Sequence, residues 1–211
     1  MKVLIVGANG KIGRRLIPHL VAEGMTVRAM VRDQAQSESL RELGAHEVVV
    51  ADLEGDCRQA LAGQDAVVFS AGSGAHTGPD KTIDVDQNGA ISVMDQAREQ
   101  GVKRFVMVSS MRADDPNSGP EKMRHYFVAK QTADNHLRGS GLDYTIVRPG
   151  RLTEAPPLDK VDVAERLEQF GDISREDVAR VLAVTLMLGT VHREFDVIQG
   201  NTPIHDAIAA L

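Results

Sequence analysis

Tyr126 and Lys130, four residues apart, are the residues whose types and spacing best fit acid–base chemistry. Within a helix, residues at this spacing lie on one face. Tyrosine alone is a poor acid–base group at neutral pH because its pKa is about 10. A nearby ammonium favours the phenolate and lowers that pKa, so we expect Tyr126 to exchange a proton with a carbonyl or alcohol oxygen. The alternative is a surface tyrosine beside a solvated lysine.

Three glycines, Gly7, Gly10 and Gly13, form the pattern G-x-x-G-x-x-G between a predicted strand at 3–6 and a predicted helix at 11–23. Small residues are needed where the chain turns tightly, approaches a pyrophosphate and packs a helix on a sheet. The free N–H groups and the dipole at a helix start favour the anion. This context predicts a dinucleotide site, and a glycine-rich turn without a ligand is the alternative. The residues expected to hold the cofactor here are Gly7, Asn9, Gly10, Lys11, Ile12 and Gly13.

The end of the predicted strand at 26–31 distinguishes NADP from NAD. An NAD site usually has a carboxylate there for the ribose 2′-hydroxyl, but this sequence has Val31 followed by Arg32. A guanidinium suits a 2′-phosphate, and Lys11 adds positive charge, so we expect NADP. NAD is the alternative, because a shift of register would make Asp33 the ribose acceptor.

Ser109 and Ser110 follow the apolar run at 105–108, which predicts a buried strand. Ligands of open α/β sheets bind beyond the carboxyl ends of the strands. We therefore expect Ser110 to position the reacting oxygen and Ser109 to line the nicotinamide site, where Lys130 can also bind the ribose. On its own, a pair of serines after a strand is typical of a turn.

Short apolar runs alternate with amphipathic stretches through the first 150 residues. Such alternation predicts an α/β fold with a doubly wound parallel sheet, the Rossmann type. The predicted strands are 3–6, 26–31, 47–50, 66–69, 105–108 and 144–147, and the predicted helices are 11–23, 34–43, 56–61, 80–100 and 120–138.

The pattern changes after residue 150. Residues 154–160 predict a loop, 174–188 a helix opened by a capping box, 194–198 a strand and 203–210 a helix. Residues 151–211 are too few for a confident independent domain. We expect one NAD(P)-binding domain over 1–211, with a small C-terminal segment covering the substrate cleft.

Composition excludes several other classes of protein. A net charge of −6 disfavours nucleic-acid binding. The single cysteine, Cys57, allows no internal disulfide and no cysteine-rich zinc site, and the seven histidines lack metal-binding spacing. No apolar run approaches the roughly 20 residues that span a bilayer. We expect a cytoplasmic protein, monomeric or homodimeric, with a small-molecule substrate, no metal, no nucleic acid and no membrane partner.

Taken together, these motifs resemble the short-chain dehydrogenase/reductase superfamily, in particular its atypical and extended branches, which include NmrA-like and NAD-dependent epimerase/dehydratase-like proteins. The resemblance is carried by Gly7-x-x-Gly10-x-x-Gly13, Val31-Arg32, Ala51-Asp52-Leu53, Ser70-Ala71-Gly72, Val108-Ser109-Ser110, Tyr126-x-x-x-Lys130 and Arg148-Pro149-Gly150. It implies further cofactor contacts: to adenine, to its ribose and to the nicotinamide. These contacts are assigned to Asp52 and Leu53, to Ala71 and Gly72, and to Pro149 and Gly150, respectively.

Two features depart from the extended branch. Asp86 stands where that branch often has asparagine, with Asn88 two residues further on, which puts a proton relay at this position in doubt. The segment after residue 150 is also small for binding a nucleotide sugar. For Asp52, the alternative to a contact with adenine is a turn or helix-entry aspartate, which residue type alone favours.

We therefore expect an NADP-dependent oxidoreductase acting on a small carbonyl or alcohol, with Tyr126 as acid–base, Lys130 as its modifier and Ser110 as the positioner of the oxygen. The alternatives are an NAD(P)-binding sensor without catalysis, and an epimerase or dehydratase that recycles its cofactor. Met111, Met123 and His76 are further candidates to line a substrate pocket, with core or loop filling as the alternative, and Cys57 is expected to be inert.

Overall fold

The computed structural model describes residues 1–74 and 78–211, so His76 lies outside the described residues. The strands are β1 (Lys2–Val6), β2 (Thr26–Val31), β3 (Glu47–Val50), β4 (Ala66–Phe69), β5 (Arg104–Val108), β6 (Asp143–Pro149), β7 (Arg151–Thr153), β8 (Lys160–Ala164), β9 (Asp172–Ser174), β10 (Arg193–Gln199) and β11 (Thr202–Pro203). The helices are α1 (Lys11–Ala22), α2 (Ser37–Glu42), α3 (Arg58–Leu61), α4 (Pro79–Thr82), α5 (Ala90–Glu99), α6 (Arg124–Gly139), α7 (Arg175–Leu188) and α8 (Ile204–Ala209).

Nine of these strands form one sheet in the order β11-β8-β10-β6-β5-β4-β1-β2-β3. The strands from β10 to β3 are parallel to their neighbours, as expected for strands joined by helical crossovers. The sheet grows in one direction from β1 to β3 and in the other from β4 onward. This reversal between β1 and β4 opens the crevice in which α/β proteins of this type bind ligands. The predicted doubly wound Rossmann fold is confirmed.

Alternate residues of the central strands face opposite sides of the sheet, and both sides are covered. In β1, Val3 and Ile5 belong to one apolar cluster, whereas Leu4 and Val6 belong to another. All four side chains are fully buried. Burial on both faces explains why this strand is a continuous apolar run rather than an alternating one.

The predicted long helix at 80–100 has three parts. Between α4 and α5 the chain forms a π-helical segment, Ile83–Gly89, without leaving the helical path. Short π-helical segments occur mostly within α-helices and frequently at functional sites. The segment contains the buried carboxylate of Asp86.

The C-terminal segment adds strands to the main sheet. The sequence analysis expected this segment only to cover the substrate cleft. β10 pairs in parallel with β6, and β8 then pairs antiparallel with β10. β8 alternates polar and apolar residues, as antiparallel strands with one solvated face do. The sequence analysis assigned no strand to β7, β8, β9 or β11, and β7 pairs with β9 in a separate two-stranded sheet.

Across residues 1–74 and 78–211, no helix combines the length and apolar character needed to cross a membrane. The same residues hold no group of three or more His, Cys, Asp or Glu side chains that could bind a metal ion.

Candidate active site

The glycine loop turns sharply from β1 into α1. Gly7 has φ +81°, and a Cβ atom there would lie 2.6 Å from the Cα of Ala71. A Cβ atom on Gly13 would lie 2.5 Å from the carbonyl oxygen of Gly7. Since neither position admits a side chain, the loop keeps its backbone close to β4 and to the start of α1.

The start of α1 fits an anion. Gly10, which has no side chain to cap the helix, is its N-cap, and the first turn of α1 has no acidic residue. The free N–H groups and the helix dipole thus give a site for phosphate, so the residues present fit a dinucleotide. Ile12, expected among the cofactor contacts, is buried in the core beneath this turn.

Lys11 does not remain free to add charge at the ribose end of the site. Its Nζ lies 3.0 Å from Glu154, in the segment that follows β7. Glu154 also accepts hydrogen bonds from Arg15 and Arg175. The carboxylate therefore ties α1 to the C-terminal segment and balances part of the charge of Lys11.

Arg14, which the sequence analysis did not single out, joins the glycine loop to α2. Its Nη1 donates to Oδ1 of Asn9 at 2.9 Å and to the hydroxyl of Ser39 at 3.0 Å. In the sequence, the position of Arg14 directly after Gly13 of the glycine motif was the signal that could have identified it. Asn9 thus serves to hold the loop.

Arg32 is exposed at the end of β2, where the sequence places the 2′-phosphate site. The neighbouring carboxylate of Asp33 accepts a hydrogen bond from the N–H of Ala35 at 2.9 Å and caps the turn Gln34–Gln36. The carboxylate of Asp33 is therefore held in this turn, while the guanidinium of Arg32 is exposed at the end of β2.

The residues that the resemblance assigns to adenine and its ribose lie after β3 and β4. Asp52 is exposed and accepts from the N–H of Glu54 at 3.0 Å, which is a turn role, while Leu53 is buried against the chain at Gly89. A Cβ atom on Gly72 would lie 3.2 Å from Oδ1 of Asp86. The loop after β4 therefore runs from the glycine loop, through Ala71 and Gly72, to the π-helical segment.

Lys130 lies at the centre of the site, beside Asp86, Val108 and Tyr126. Its Nζ is 3.1 Å from Oδ1 of Asp86, donates to the carbonyl oxygen of Val108 at 3.2 Å, and lies 5.8 Å from the ring centre of Tyr126. Lys130 and Asp86 are only 2% and 1% exposed. The structure thus brings Tyr126 and Lys130 together as predicted, and it adds Asp86 as the counter-ion.

The ionisation of this pair differs from the expectation. Burial raises the pKa of Tyr126 above its ordinary value, and the ammonium of Lys130, the largest opposing influence, does not offset it. Burial would lower the pKa of Lys130, but chiefly the carboxylate of Asp86 reverses this and raises it. Lys130 therefore stays charged, whereas Tyr126 stays protonated at neutral pH in the protein alone.

The two serines after β5 have different partners. The buried hydroxyl of Ser109 donates to Oδ2 of Asp134 at 2.6 Å. The hydroxyl of Ser110 donates to the carbonyl oxygen of Met111 at 3.2 Å, and it also favours the ionised form of Tyr126. Ser110 is thus beside the phenol as predicted, whereas the hydroxyl of Ser109 is bound to a helix residue that the sequence analysis missed. The signal for Asp134 was its position one turn beyond Lys130.

Pro149 and Gly150 lie directly behind the turn after β5. The carbonyl oxygen of Pro149 accepts from the N–H of Met111 at 3.0 Å. A Cβ atom on Gly150 would lie 2.9 Å from the side chain of Ile198. Of the substrate-pocket candidates, Met111 is 4% exposed, which favours core filling, and Met123 is exposed.

The C-terminal segment also reaches the loop beside Ser110. The guanidinium of Arg112 lies 4.3 Å from the ring centre of Phe170, and Arg166 lies 3.6 Å from Asp114. Arg112 has φ +72°, an uncommon conformation for a residue with a side chain.

Cys57 is buried away from these contacts, and burial raises the pKa of its thiol to about 11, so it is poorly suited to react as a thiolate.

The fold and the glycine loop together define an α/β dinucleotide-binding protein. Residues 7–187 match the model of the NAD(P)H-binding family, so the chain belongs to that family. This confirms the predicted relationship to the NAD(P)-binding proteins of the short-chain dehydrogenase/reductase type.

Similar proteins cover the full length of the chain. It is 44% identical to "Uncharacterized sugar epimerase YhfK" of Bacillus subtilis (strain 168), over 100% of both chains. The solved structure named "Putative NAD-dependent epimerase/dehydratase from Bacillus halodurans" is 48% identical, with a TM-score of 0.98 over 100% of both chains. The oxidoreductase ylbE from Lactococcus lactis is 28% identical, with a TM-score of 0.89 over 100% of this chain and 96% of that one.

Proposed function

We propose that this protein is an NADP-dependent oxidoreductase that transfers a hydride between NADP(H) and a small carbonyl or alcohol substrate. One continuous series of contacts carries the proposal. Ala71 lies against Gly7 of the glycine loop, the next residue, Gly72, lies against Asp86, and Asp86 binds Lys130 beside Tyr126. A dinucleotide held at the loop would therefore have its reactive end near the phenol.

The residues that would hold the dinucleotide follow the carboxyl edge of the sheet. The glycine loop and the start of α1 would bind the pyrophosphate, Leu53 would flank adenine, and Gly150 would approach the nicotinamide. When bound, the nicotinamide supplies or accepts the hydride. NADP is favoured over NAD because Arg32, exposed at the end of β2, and Arg14, beside the glycine loop, would lie near the adenine ribose and could bind a 2′-phosphate.

Tyr126 would act as the acid–base. Because its pKa is raised, the phenol holds a proton at neutral pH and can donate it to a carbonyl oxygen that Ser110 positions by hydrogen bonding. Lys130 would stabilise the phenolate that remains. This protonation state favours reduction of a carbonyl over oxidation of an alcohol at neutral pH.

Changing Tyr126 to Phe tests the proposal. We expect kcat for NADPH-dependent carbonyl reduction to fall by about 10²–10⁴, because the proton donor is lost, while the Kd for NADPH stays nearly unchanged. Tyr144→Phe is the matched control, since Tyr144 is the only other tyrosine and contacts His192 outside the site. Full activity in Tyr126→Phe would remove the phenol from the mechanism.

An epimerase or dehydratase that recycles its cofactor is the second candidate, favoured by the names of the two Bacillus relatives. Such an enzyme would retain cofactor through purification and consume none in net terms. Mass spectrometry of the purified protein and NADPH absorbance during turnover separate the two reactions. Tight NADPH binding with no turnover of any carbonyl or nucleotide sugar would instead favour a sensor.

A further inference from the structure

Asp134 is a buried carboxylate that the proposed mechanism does not use. It lies one helical turn beyond Lys130 on α6, and both side chains bind the end of β5. Lys130 Nζ donates to the carbonyl oxygen of Val108, and Asp134 Oδ2 accepts from the hydroxyl of Ser109 at 2.6 Å. Two successive turns of the helix therefore hold two successive residues, Val108 at the end of β5 and Ser109 directly after it.

These contacts lead directly to the proposed reaction centre. Tyr126 lies one turn before Lys130 on the same helix, and Ser110 is the next residue of the chain after Ser109. Any movement of α6 along β5 would separate the phenol from the serine that is expected to position the substrate oxygen. Lys130 and Asp134 oppose such movement with buried polar contacts, which are costly to break.

The charge of Asp134 is also unusual for its location. The residue is 1% exposed, and within the described part of the chain its Oδ1 has no hydrogen-bond partner. Asp86, equally buried, already provides the counter-ion of Lys130 at 3.1 Å. Asp86 therefore already balances the ammonium, and Asp134 adds a second buried carboxylate close to it.

We propose that Asp134 is a positioning residue that fixes α6 against the end of β5 and places a second carboxylate beside the ammonium of Lys130, so that Tyr126 and Ser110 stay in register. The catalytic part of this inference rests on the proposed function. Asp134 itself would touch neither substrate nor cofactor.

The charged groups around these two residues give the direction of the effect. Asp134 faces Lys130 and Arg138 on its own helix and Arg148 on β6, and burial raises its pKa to about 6. It is therefore an anion at the alkaline pH where a tyrosine ionises. Tyr126 faces Lys130, which favours the phenolate, and the carboxylates of Asp86 and Asp134, which oppose it. Removing the charge of Asp134 should make the phenol more acidic.

The composition of the chain allows this to be measured without substrate or cofactor. There are two tyrosines and no tryptophan, so in a Tyr144→Phe background the phenolate absorbance reports Tyr126 alone. We expect the titration midpoint to move to lower pH when Asp134→Asn is added. The matched control is Asp177→Asn, because Asp177 is also 1% exposed and accepts from a serine, Ser174, at 2.8 Å. The control should leave the midpoint unchanged.

An unchanged midpoint in Asp134→Asn, or an equal shift in Asp177→Asn, would overturn the proposal. Should Asp134→Asn not fold, Asp134→Ala removes the same charge and is titrated in its place. With an active substrate in hand, kcat of Asp134→Asn at neutral pH should fall on the order of tenfold, with the KM for NADPH unchanged. A shifted midpoint in a protein that reduces no carbonyl would support the role of Asp134 and reject the proposed function alone.

Discussion

The Lys130 ammonium is held where water does not reach it, and this determines how the neighbouring phenol behaves. A buried ammonium is costly unless it is paired, and Asp86 pairs it at 3.1 Å. The pairing keeps Lys130 charged, and the carboxylate of Asp86 opposes the stabilisation of the Tyr126 phenolate by that ammonium. A spacing of four residues predicted that the two side chains meet, and the same spacing places Asp134 one turn beyond Lys130. The pairing of Lys130 with Asp86, which is distant in sequence, could be found only in the fold.

A prediction for cofactor choice concerns Arg32. Replacing Arg32 by Ala removes a guanidinium from the end of β2, where Asp33 is already engaged as a helix cap. A hydrogen bond to a charged group contributes about 1.5–3 kcal/mol, so the Kd for NADPH should rise about tenfold to a hundredfold. The Kd for NADH should stay the same, as titration of both cofactors by fluorescence would reveal. Arg98→Ala, an exposed change on α5, is the control, and equal weakening of both cofactors would contradict a role in recognising the 2′-phosphate.

The elements around the crevice were predictable to different degrees. The strand–glycine loop–helix unit and the Tyr–Lys helix follow from local patterns of apolar and small residues. The π-helical segment, which packs against α6, does not follow from such patterns. The edge strands β8 and β11 are short and mostly lack a continuous apolar run. Sequence patterns therefore located the glycine loop and the helix that carries Tyr126 and Lys130, and the fold showed which side chains pack against Lys130.

The glycine loop gives a prediction about close packing. Gly7 and Gly24 both have positive φ, +81° and +71°, but a Cβ atom on Gly24 would have no atom within 4 Å, whereas one on Gly7 would meet Ala71. Gly24→Ala should lower the free energy of unfolding by about 1–2 kcal/mol, the cost of the left-handed conformation. Gly7→Ala should cost about 1–3 kcal/mol more because of the clash, and should also weaken NADPH binding. Urea unfolding of both variants measures the difference, and equal losses would refute the packing argument.

For the molecule as a whole, the nine-stranded sheet joins the cofactor half and the C-terminal segment. Arg148 on β6 donates to Asp196 on β10 at 2.8 Å, with both side chains buried, and it also binds the carbonyl oxygen of Glu165. Residues 151–211 are thus tied to the central strands by backbone pairing and by buried charge. The sequence indicated their small size, but their place in the sheet depends on long-range pairing with β6 that no local pattern encodes.

The buried carboxylate of Asp134 makes the stability of the whole fold depend on pH. Its pKa rises from an ordinary value of 3.8 to about 6 on folding, so between those pH values the folded state keeps a proton that the unfolded state has lost. The contribution of this residue to stability is therefore complete below about pH 4 and is lost as the pH rises through 6, a change of at most about 3 kcal/mol. Asp134→Asn lacks this titration, so its free energy of unfolding relative to the wild type should improve between pH 4 and pH 7.

Ser109→Ala removes the hydrogen bond that lowers the pKa of Asp134. In this variant, the fall in the free energy of unfolding with rising pH should therefore continue to higher pH than in the wild type. Denaturant unfolding across this range measures all three proteins, and parallel curves for the wild type and Asp134→Asn would mean that the carboxyl titrates normally in the fold.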